Sequence, residues 1–354
     1  MVWFMLVAGL VLLIIGADVL VRGAARLAAA FGVPALVIGL TVVAFGTSAP
    51  ELAVSVKSSF AGQAELAIAN VVGSNIFNVL FILGLSALVA PLVVSQQLIR
   101  QDVPIMIGLS ALVVLMTLDG MIGRLEAVVL VTGLLLYTAF LFYQGRKNHQ
   151  ADNSNTAETS EPVAPLWQNL LLVVGGLALL VLGSRWLVDS AVSIAASFGV
   201  SEAVIGLTII AAGTSLPEVM TSVMATLKGE RDIAVGNVVG SNVFNILCVL
   251  GVSGLVSPQP LVAGEQLSGI DIPVMLAVAA LCLPLFFTGA LLHRSEGAVF
   301  LLLYLAYVGY MVTLATASPY NEPLLQIISF GLLPLLGLFV LATLAHDLRQ
   351  RRQN

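Results

Sequence analysis

Long apolar runs, each closed by a short polar or glycine- and proline-containing interruption, follow one another along this chain from residue 3 to residue 345. Eleven are predicted to be helices: approximately 3–28, 33–60, 66–91, 103–119, 123–143, 168–196, 200–227, 233–257, 271–289, 296–315 and 323–345. Most reach the length of about 20 residues that a helix needs to cross a bilayer. The pattern does not alternate in the ten-residue segments of a membrane barrel, and in lipid a helix satisfies its own backbone. One long polar stretch, Gln144 to Ala164, is rich in Asn, Ser, Thr, Glu and Pro and reads as a flexible linker. It splits the chain into a first five-helix half (1–143), a cytoplasmic linker (144–167), a second five-helix half (168–315) and an extra C-terminal helix with a basic tail (316–354).

The two halves repeat each other. FGVPALVIGLTVVAFGTSAPEL (Phe31 to Leu52) returns 167 residues later as FGVSEAVIGLTIIAAGTSLPEV (Phe198 to Val219), with 14 of 22 positions identical. At the same offset, ANVVGSNIFNVLFILGL (Ala69 to Leu85) returns as GNVVGSNVFNILCVLGV (Gly236 to Val252), with 11 of 17 identical. The copies occupy helices 2–3 and 7–8, and an odd separation of five spans turns them upside down relative to each other. The expected fold class is therefore an all-α polytopic membrane protein with two inverted five-helix repeats, a ten-helix core, and an eleventh C-terminal helix. Inverted repeats of this kind are associated with secondary transporters whose site lies at the midplane.

Composition supports the membrane assignment. The chain is 59% hydrophobic and 9% charged, against about 25% charged in a soluble domain. Nucleic acid is not an expected partner. Cys248 and Cys282 lie in apolar runs and read as small buried hydrophobes. His149, His293 and His346 fall in polar connections, which argues against a buried histidine metal cluster or base. The first run has no basic leader or cleavage site and reads as a span. With the N-terminus outside, 11 of the 14 basic residues fall on inner connections, so the C-terminus is expected in the cytoplasm and the protein in the inner membrane.

The repeated motif places costly residues in oily surroundings. Thr47, Ser48 and Glu51 share one helix face. Pro50 removes an N–H and should leave the Gly46 carbonyl without its helical partner, bending or breaking the helix at GTSAPE. In the following helix Ser74 and Asn78 are i, i+4, and Gly73 permits close helix approach. Thr214, Ser215, Glu218, Pro217, Gly213, Ser241 and Asn245 repeat the arrangement. A carboxylate in mid-span requires a counter-charge and marks function. Two carboxylates, two amides and several hydroxyls form an oxygen-only set suited to hard cations such as Ca²⁺ and Na⁺. The central charge of −2 is neutralised by one Ca²⁺ or two Na⁺, and three Na⁺ leave +1. Either filling is tolerable, which is what exchange requires. An alternative is Ca²⁺/H⁺ antiport on the same two glutamates. A serine hydrolase at Ser48 lacks a base within any predicted span, and a continuous channel fits broken inverted repeats poorly; the chain is not expected to be an enzyme and needs no cofactor. Asp18, Asp102, Asp189 and Asp271 lie near predicted ends or lack a repeated partner and are expected to be structural. Arg185 and Asp189, i, i+4, suit a mutual ion pair.

These motifs, GTSAPE with NVVGSNIFN and GTSLPE with NVVGSNVFN, resemble the α-1 and α-2 repeats (36–85 and 203–252) of the sodium/calcium exchanger superfamily, in its prokaryotic type. The resemblance covers nearly the whole chain to about residue 315. It implies alternating-access antiport. It also implies ion ligands at Thr47, Ser48, Glu51, Ser74 and Asn78, and at Thr214, Ser215, Glu218, Ser241 and Asn245, with the backbone carbonyls of Ala44 and Ala211. Some members carry Asp where this chain has Asn245, including branches that co-transport K⁺. The linker is too short for a calcium-sensing domain and carries no EF-hand pattern.

Overall fold

The apolar runs form helices because each carries its backbone hydrogen bonds internally. The computed structural model describes residues 1–153, 165–200, 205, 209 and 211–353. The helices are α1 (Val2–Phe31), α2 (Ala35–Thr47), α3 (Ala49–Phe60), α4 (Ala64–Val89), α5 (Leu98–Met116), α6 (Arg124–Asn153), α7 (Leu166–Ser197), α8 (Ala211–Thr214), α9 (Leu216–Leu227), α10 (Arg231–Val256), α11 (Leu267–Phe287), α12 (Arg294–Ala315) and α13 (Asn321–Ala345). Among the described residues, nine helices are long and apolar enough to cross a membrane, and the bent pair α2–α3 makes a tenth when taken as one span. This is a multi-pass all-α membrane protein. Of the expected span 200–227, α8 and α9 form the second part; residues 201–204, 206–208 and 210, where the second motif begins, lie outside the described residues.

The polar stretch after Gln144 differs from expectation. α6 continues as helix to Asn153, and the remainder, residues 154–164, lies outside the described residues. Extending an existing helix adds a hydrogen bond per residue without a new nucleation cost, and Gln144, Arg146, Lys147 and Gln150 include good helix formers.

α4 and α10, which carry the NVVGSN motifs, form the centre. The most apolar stretch of α10 is buried throughout, whereas that of α13 has no buried residue. α1 and α7 pack together along their length. Glycines set that contact: a Cβ at Gly183 would lie 2.7 Å from the Gly9 carbonyl oxygen, and one at Gly16 would lie 2.9 Å from the Gly176 carbonyl oxygen. Gly9 and Gly16 are 167 residues from Gly176 and Gly183, so the repeat extends to the first helix of each half.

Two short antiparallel pairs clasp the halves. β1 (Leu92–Val93) pairs with β4 (Leu291–Leu292), Leu92 opposite Leu292. β2 (Met121–Ile122) pairs with β3 (Leu261–Val262), Met121 opposite Val262. The loop after α4 therefore meets the loop after α11, and the loop after α5 meets the loop after α10. Each pairing joins loops that alternating spans leave on one side of the bilayer. π-helical turns also recur in both halves, at Asn78–Leu83 and Asn245–Leu250 and at Leu98–Asp102 and Leu267–Asp271.

Candidate functional site

The site is built where the apolar helices are interrupted. α2 and α3 meet at 45°. Ser48, at φ −78° and ψ 6°, is the hinge, and Pro50 stands in the first turn of α3. Ser215, at φ −89° and ψ 9°, is the equivalent hinge between α8 and α9, with Pro217 following. Glu51 and Glu218 thus sit in the first turns of α3 and α9, where free N–H groups and the helix dipole favour a negative charge. Both are buried, at 0% and 1% exposure.

The break is gentler than expected. Backbone N–H groups at the end of α2 reach both the Ala44 and Gly46 carbonyls, so a 3₁₀-like closure takes over the bond that Pro50 cannot supply. The Ala44 oxygen accepts from Ser48 N at 3.0 Å and from Thr47 Oγ1 at 3.3 Å. Thr47 has one hydroxyl proton and shares it with Asn237 Oδ1 at 3.1 Å, so the Ala44 oxygen keeps one lone pair for a further partner. Ala211 opens α8, four residues before Ser215. A Cβ at Gly73 would meet nothing within 4 Å among the described residues, whereas one at its repeat mate Gly240 would lie 2.7 Å from the Leu40 oxygen and 2.8 Å from Ala44 Cβ.

The two halves hold each other's carboxylates. Ser48 Oγ donates to Glu218 Oε1 at 3.1 Å, and Ser215 Oγ donates to Glu51 Oε1 at 2.8 Å. Ser215 Oγ also lies 3.3 Å from Ser74 Oγ. Thr47 Oγ1 donates to Asn237 Oδ1 at 3.1 Å. Ser241 is fully buried, and Thr214 ends α8 in a half-buried position. Thr47, Ser48, Glu51, Ser74, Ser215 and Glu218 therefore converge through direct contacts.

Two further pairs, Asn70 with Asn237 and Asn75 with Asn242, were not singled out by the sequence. Asn70 Nδ2 donates to the Glu51 carbonyl at 3.2 Å and to Ser55 Oγ at 2.9 Å. Asn237 Nδ2 does the same for the Glu218 carbonyl at 3.4 Å and Ser222 Oγ at 3.0 Å. These bonds tie α4 to α3 and α10 to α9 beside each glutamate. Asn75 and Asn242 bond reciprocally, each Nδ2 reaching the other's backbone carbonyl at 3.3 Å. Asn78 Nδ2 donates to Asn242 Oδ1, and Asn245 Nδ2 donates to Asn75 Oδ1, both at 3.0 Å. Their signal was present, since all four lie in the repeated NVVGSN segments.

Within the two motifs, the buried polar atoms left without a partner among the described residues include Glu51 Oε2, Glu218 Oε2, Asn78 Oδ1 and Asn245 Oδ1, with the Ser241 hydroxyl. Buried polar atoms are ordinarily paired, and oxygen atoms in this arrangement suit a cation. Beside Glu218 a cavity of about 390 Å³ is lined by Phe77, Phe81, Leu216, Val219 and Tyr304. It is apolar and offers an ion no ligand.

Asp18, Asp102 and Asp271 make structural contacts, and two details depart from the sequence reading. Asp102 and Asp271 are repeat mates after all, both within a D-x-P-x-M segment, but at an offset of 169 rather than 167. Each accepts from a tyrosine on the next helix: Tyr137 OH at 3.2 Å and Tyr307 OH at 2.8 Å. These bonds staple α5 to α6 and α11 to α12. Arg185 and Asp189 do not pair. The ion pair forms at their repeat mates with the signs exchanged, between Asp18 and Arg22, and Asp18 also takes Lys228 from the end of α9.

Comparison with known proteins agrees with this geometry. Residues 1–143 and 168–313 match the family described as sodium/calcium exchanger protein. The chain is 41% identical over 311 residues to CaxA of Alkalimonas amylolytica, covering 86% of this chain and 96% of that one. It is 33% identical over 341 residues to the sodium/calcium exchanger MaX1 of Methanosarcina acetivorans, covering 86% and 97%. Among solved structures, the sodium-calcium exchanger NCX_Mj superposes with a TM-score of 0.75 at 30% identity, covering 88% of this chain and 98% of that one. The inverted halves, the paired motifs and these matches together make the chain a member of the sodium/calcium exchanger superfamily, of the prokaryotic type.

Proposed function

We propose that this chain is a secondary antiporter exchanging Ca²⁺ against Na⁺ by alternating access, with the ions held near the bilayer midplane between the two repeats. The observation that carries the reading is the set of orphaned acceptors. Among the described residues, two carboxylate oxygens and two amide oxygens are buried without donors, while the other oxygen of each glutamate is held by a serine of the opposite half. A cation supplies the missing partner. Thr47, Ser48, Glu51, Ser74, Asn78, Thr214, Ser215, Glu218, Ser241 and Asn245, with backbone oxygens at Ala44 and Ala211, are the candidate ligands. Ca²⁺ or two Na⁺ cancels the central charge, so both loaded forms can cross the dry centre. The exchanger family and the relative named as a sodium/calcium exchanger support this choice of ions. The protein would work in the inner membrane with its N-terminus outside and its C-terminus in the cytoplasm.

The test is Ca²⁺ uptake by proteoliposomes loaded with Na⁺ and diluted into Na⁺-free buffer, with pH clamped equal on both sides. Uptake that requires internal Na⁺ is expected. Uptake that follows an imposed pH gradient and ignores Na⁺ would replace this reading with Ca²⁺/H⁺ exchange.

A further inference from the structure

The orphaned oxygens of Asn78 and Asn245 pose a question, because an amide has a donor end and an acceptor end of nearly equal size. Only the oxygen can ligate a cation; the NH₂ group would repel it. Something must choose between the two orientations.

The choice is made two contacts away and can be traced from atoms with fixed roles. The backbone carbonyl of Asn75 can only accept. Asn242 approaches it at 3.3 Å and must therefore present Nδ2 there. The same nitrogen lies 3.4 Å from Met106 Sδ, a second, weaker acceptor. The Asn242 Oδ1 is left facing Asn78, and Asn78 must offer its own Nδ2, at 3.0 Å. Asn78 Oδ1 then points away from Asn242 and is buried without a donor among the described residues. The mirror chain runs from the Asn242 carbonyl through Asn75, whose Nδ2 lies 3.6 Å from Met275 Sδ, to Asn245. Asn75 and Asn242 are 2% exposed, so water does not compete for these bonds.

We propose that Asn75 and Asn242 are positioning residues, each fixing from the opposite repeat the amide orientation of a ligand asparagine, so that oxygen and not NH₂ faces the cation. Asn242 acts on Asn78, and Asn75 acts on Asn245. The inference rests on the ion site proposed above. It gives each half of the protein control over one ligand of the other half.

The experiment is a double-mutant cycle read by equilibrium ⁴⁵Ca²⁺ binding to the purified full-length protein in detergent. Asn242→Ala and Asn78→Ala are each expected to weaken binding about tenfold, the worth of one buried hydrogen bond. The double variant should be no weaker than either single, because Asn242 acts only through Asn78. Asn242→Ala combined with Asn245→Ala should multiply, to about a hundredfold, because Asn245 is held by Asn75. Multiplication in the Asn242/Asn78 cycle, or no effect of Asn242→Ala, overturns the proposal; a residue that merely supports the fold would multiply with both partners. Asn75 with Asn245 is the mirror cycle. Where an alanine variant aggregates, Asn242→Gln or Asn75→Gln replaces it, keeping the amide but displacing it by a methylene. Glu51→Gln is the reference arm. If it binds Ca²⁺ normally, the ion site itself is wrong; if it loses binding while the cycles multiply, only the positioning role fails.

Discussion

Replacing Glu51 by Gln changes one atom and removes half of the central charge. Glutamine can keep the contact with Ser215, since its amide oxygen can accept the bond now made at 2.8 Å to Glu51 Oε1. The NH₂ group then occupies the place of Oε2, the atom without a donor among the described residues, and turns an acceptor into a donor aimed at the cation. The electrostatic loss can be bounded. A Ca²⁺–oxygen contact of about 2.4 Å at an effective dielectric constant of about 20 gives roughly 14 kcal/mol between Ca²⁺ and one carboxylate. Relief from holding that carboxylate in a dry site returns several kcal/mol. The remainder is still several kcal/mol, and each 1.4 kcal/mol is tenfold in affinity, so Ca²⁺ binding should weaken more than a thousandfold. Because the change is isosteric, the protein should stay folded, with a monodisperse elution profile. Na⁺-driven ⁴⁵Ca²⁺ uptake into proteoliposomes should fall to the level of empty liposomes, and Glu218→Gln should behave alike. Near-normal uptake in either variant would refute the two-carboxylate site.

If three Na⁺ exchange for one Ca²⁺, each cycle moves one net charge, worth about 2.3 kcal/mol per 100 mV; inside-positive voltage should then slow Na⁺ entry and Ca²⁺ exit, and flux indifferent to a valinomycin clamp would point to two-for-one exchange. Gly183→Val should lower the melting temperature by several degrees, since its Cβ would meet the Gly9 oxygen at 2.7 Å and overpacking costs about 1–3 kcal/mol. Gly337→Ala, where the added Cβ would meet nothing within 4 Å among the described residues, is the neutral control for that melting experiment. Truncation after Pro319 removes α13, whose apolar stretch contributes no buried residue, and should leave Na⁺/Ca²⁺ competition unchanged. A reporter fused at Asn354 should register in the cytoplasm, and detection outside would overturn the assigned orientation.

The sequence exposed the residues whose cost is intrinsic. A glutamate in mid-span is expensive wherever its helix packs, so Glu51 and Glu218 stood out, and repetition drew in Thr47, Ser48, Ser74 and Asn78 with their mates. Asn70, Asn75, Asn237 and Asn242 lie in the same motifs but carry no charge that sets them apart. Their value exists only between helices, in bonds such as Asn78 to Asn242 that span 164 residues and depend on how the halves interlock. Asp102 and Asp271 were hidden by a shift in spacing, because the repeat drifts from 167 to 169 residues after the motif and a fixed-offset comparison loses them. The ion pair was expected at Arg185 and Asp189 and forms instead at Asp18 and Arg22, where a third charge, Lys228 just past α9, also reaches Asp18; the i, i+4 spacing carries no such information. The π-helical turns opening at Asn78 and Asn245 leave no mark on hydropathy, since one extra residue in a turn preserves an apolar run.

The central claim is that one site, with two carboxylates at its heart, holds either Ca²⁺ or Na⁺. Equilibrium binding of ⁴⁵Ca²⁺ to the purified protein, titrated with Na⁺ at constant pH and ionic strength, tests it most directly. Na⁺ should displace Ca²⁺ completely and with a Hill coefficient above one, because at least two Na⁺ are needed to replace the charge of one Ca²⁺. Ca²⁺ binding that withstands Na⁺ but yields to acid would contradict the account and assign the exchanged charge to protons on Glu51 and Glu218.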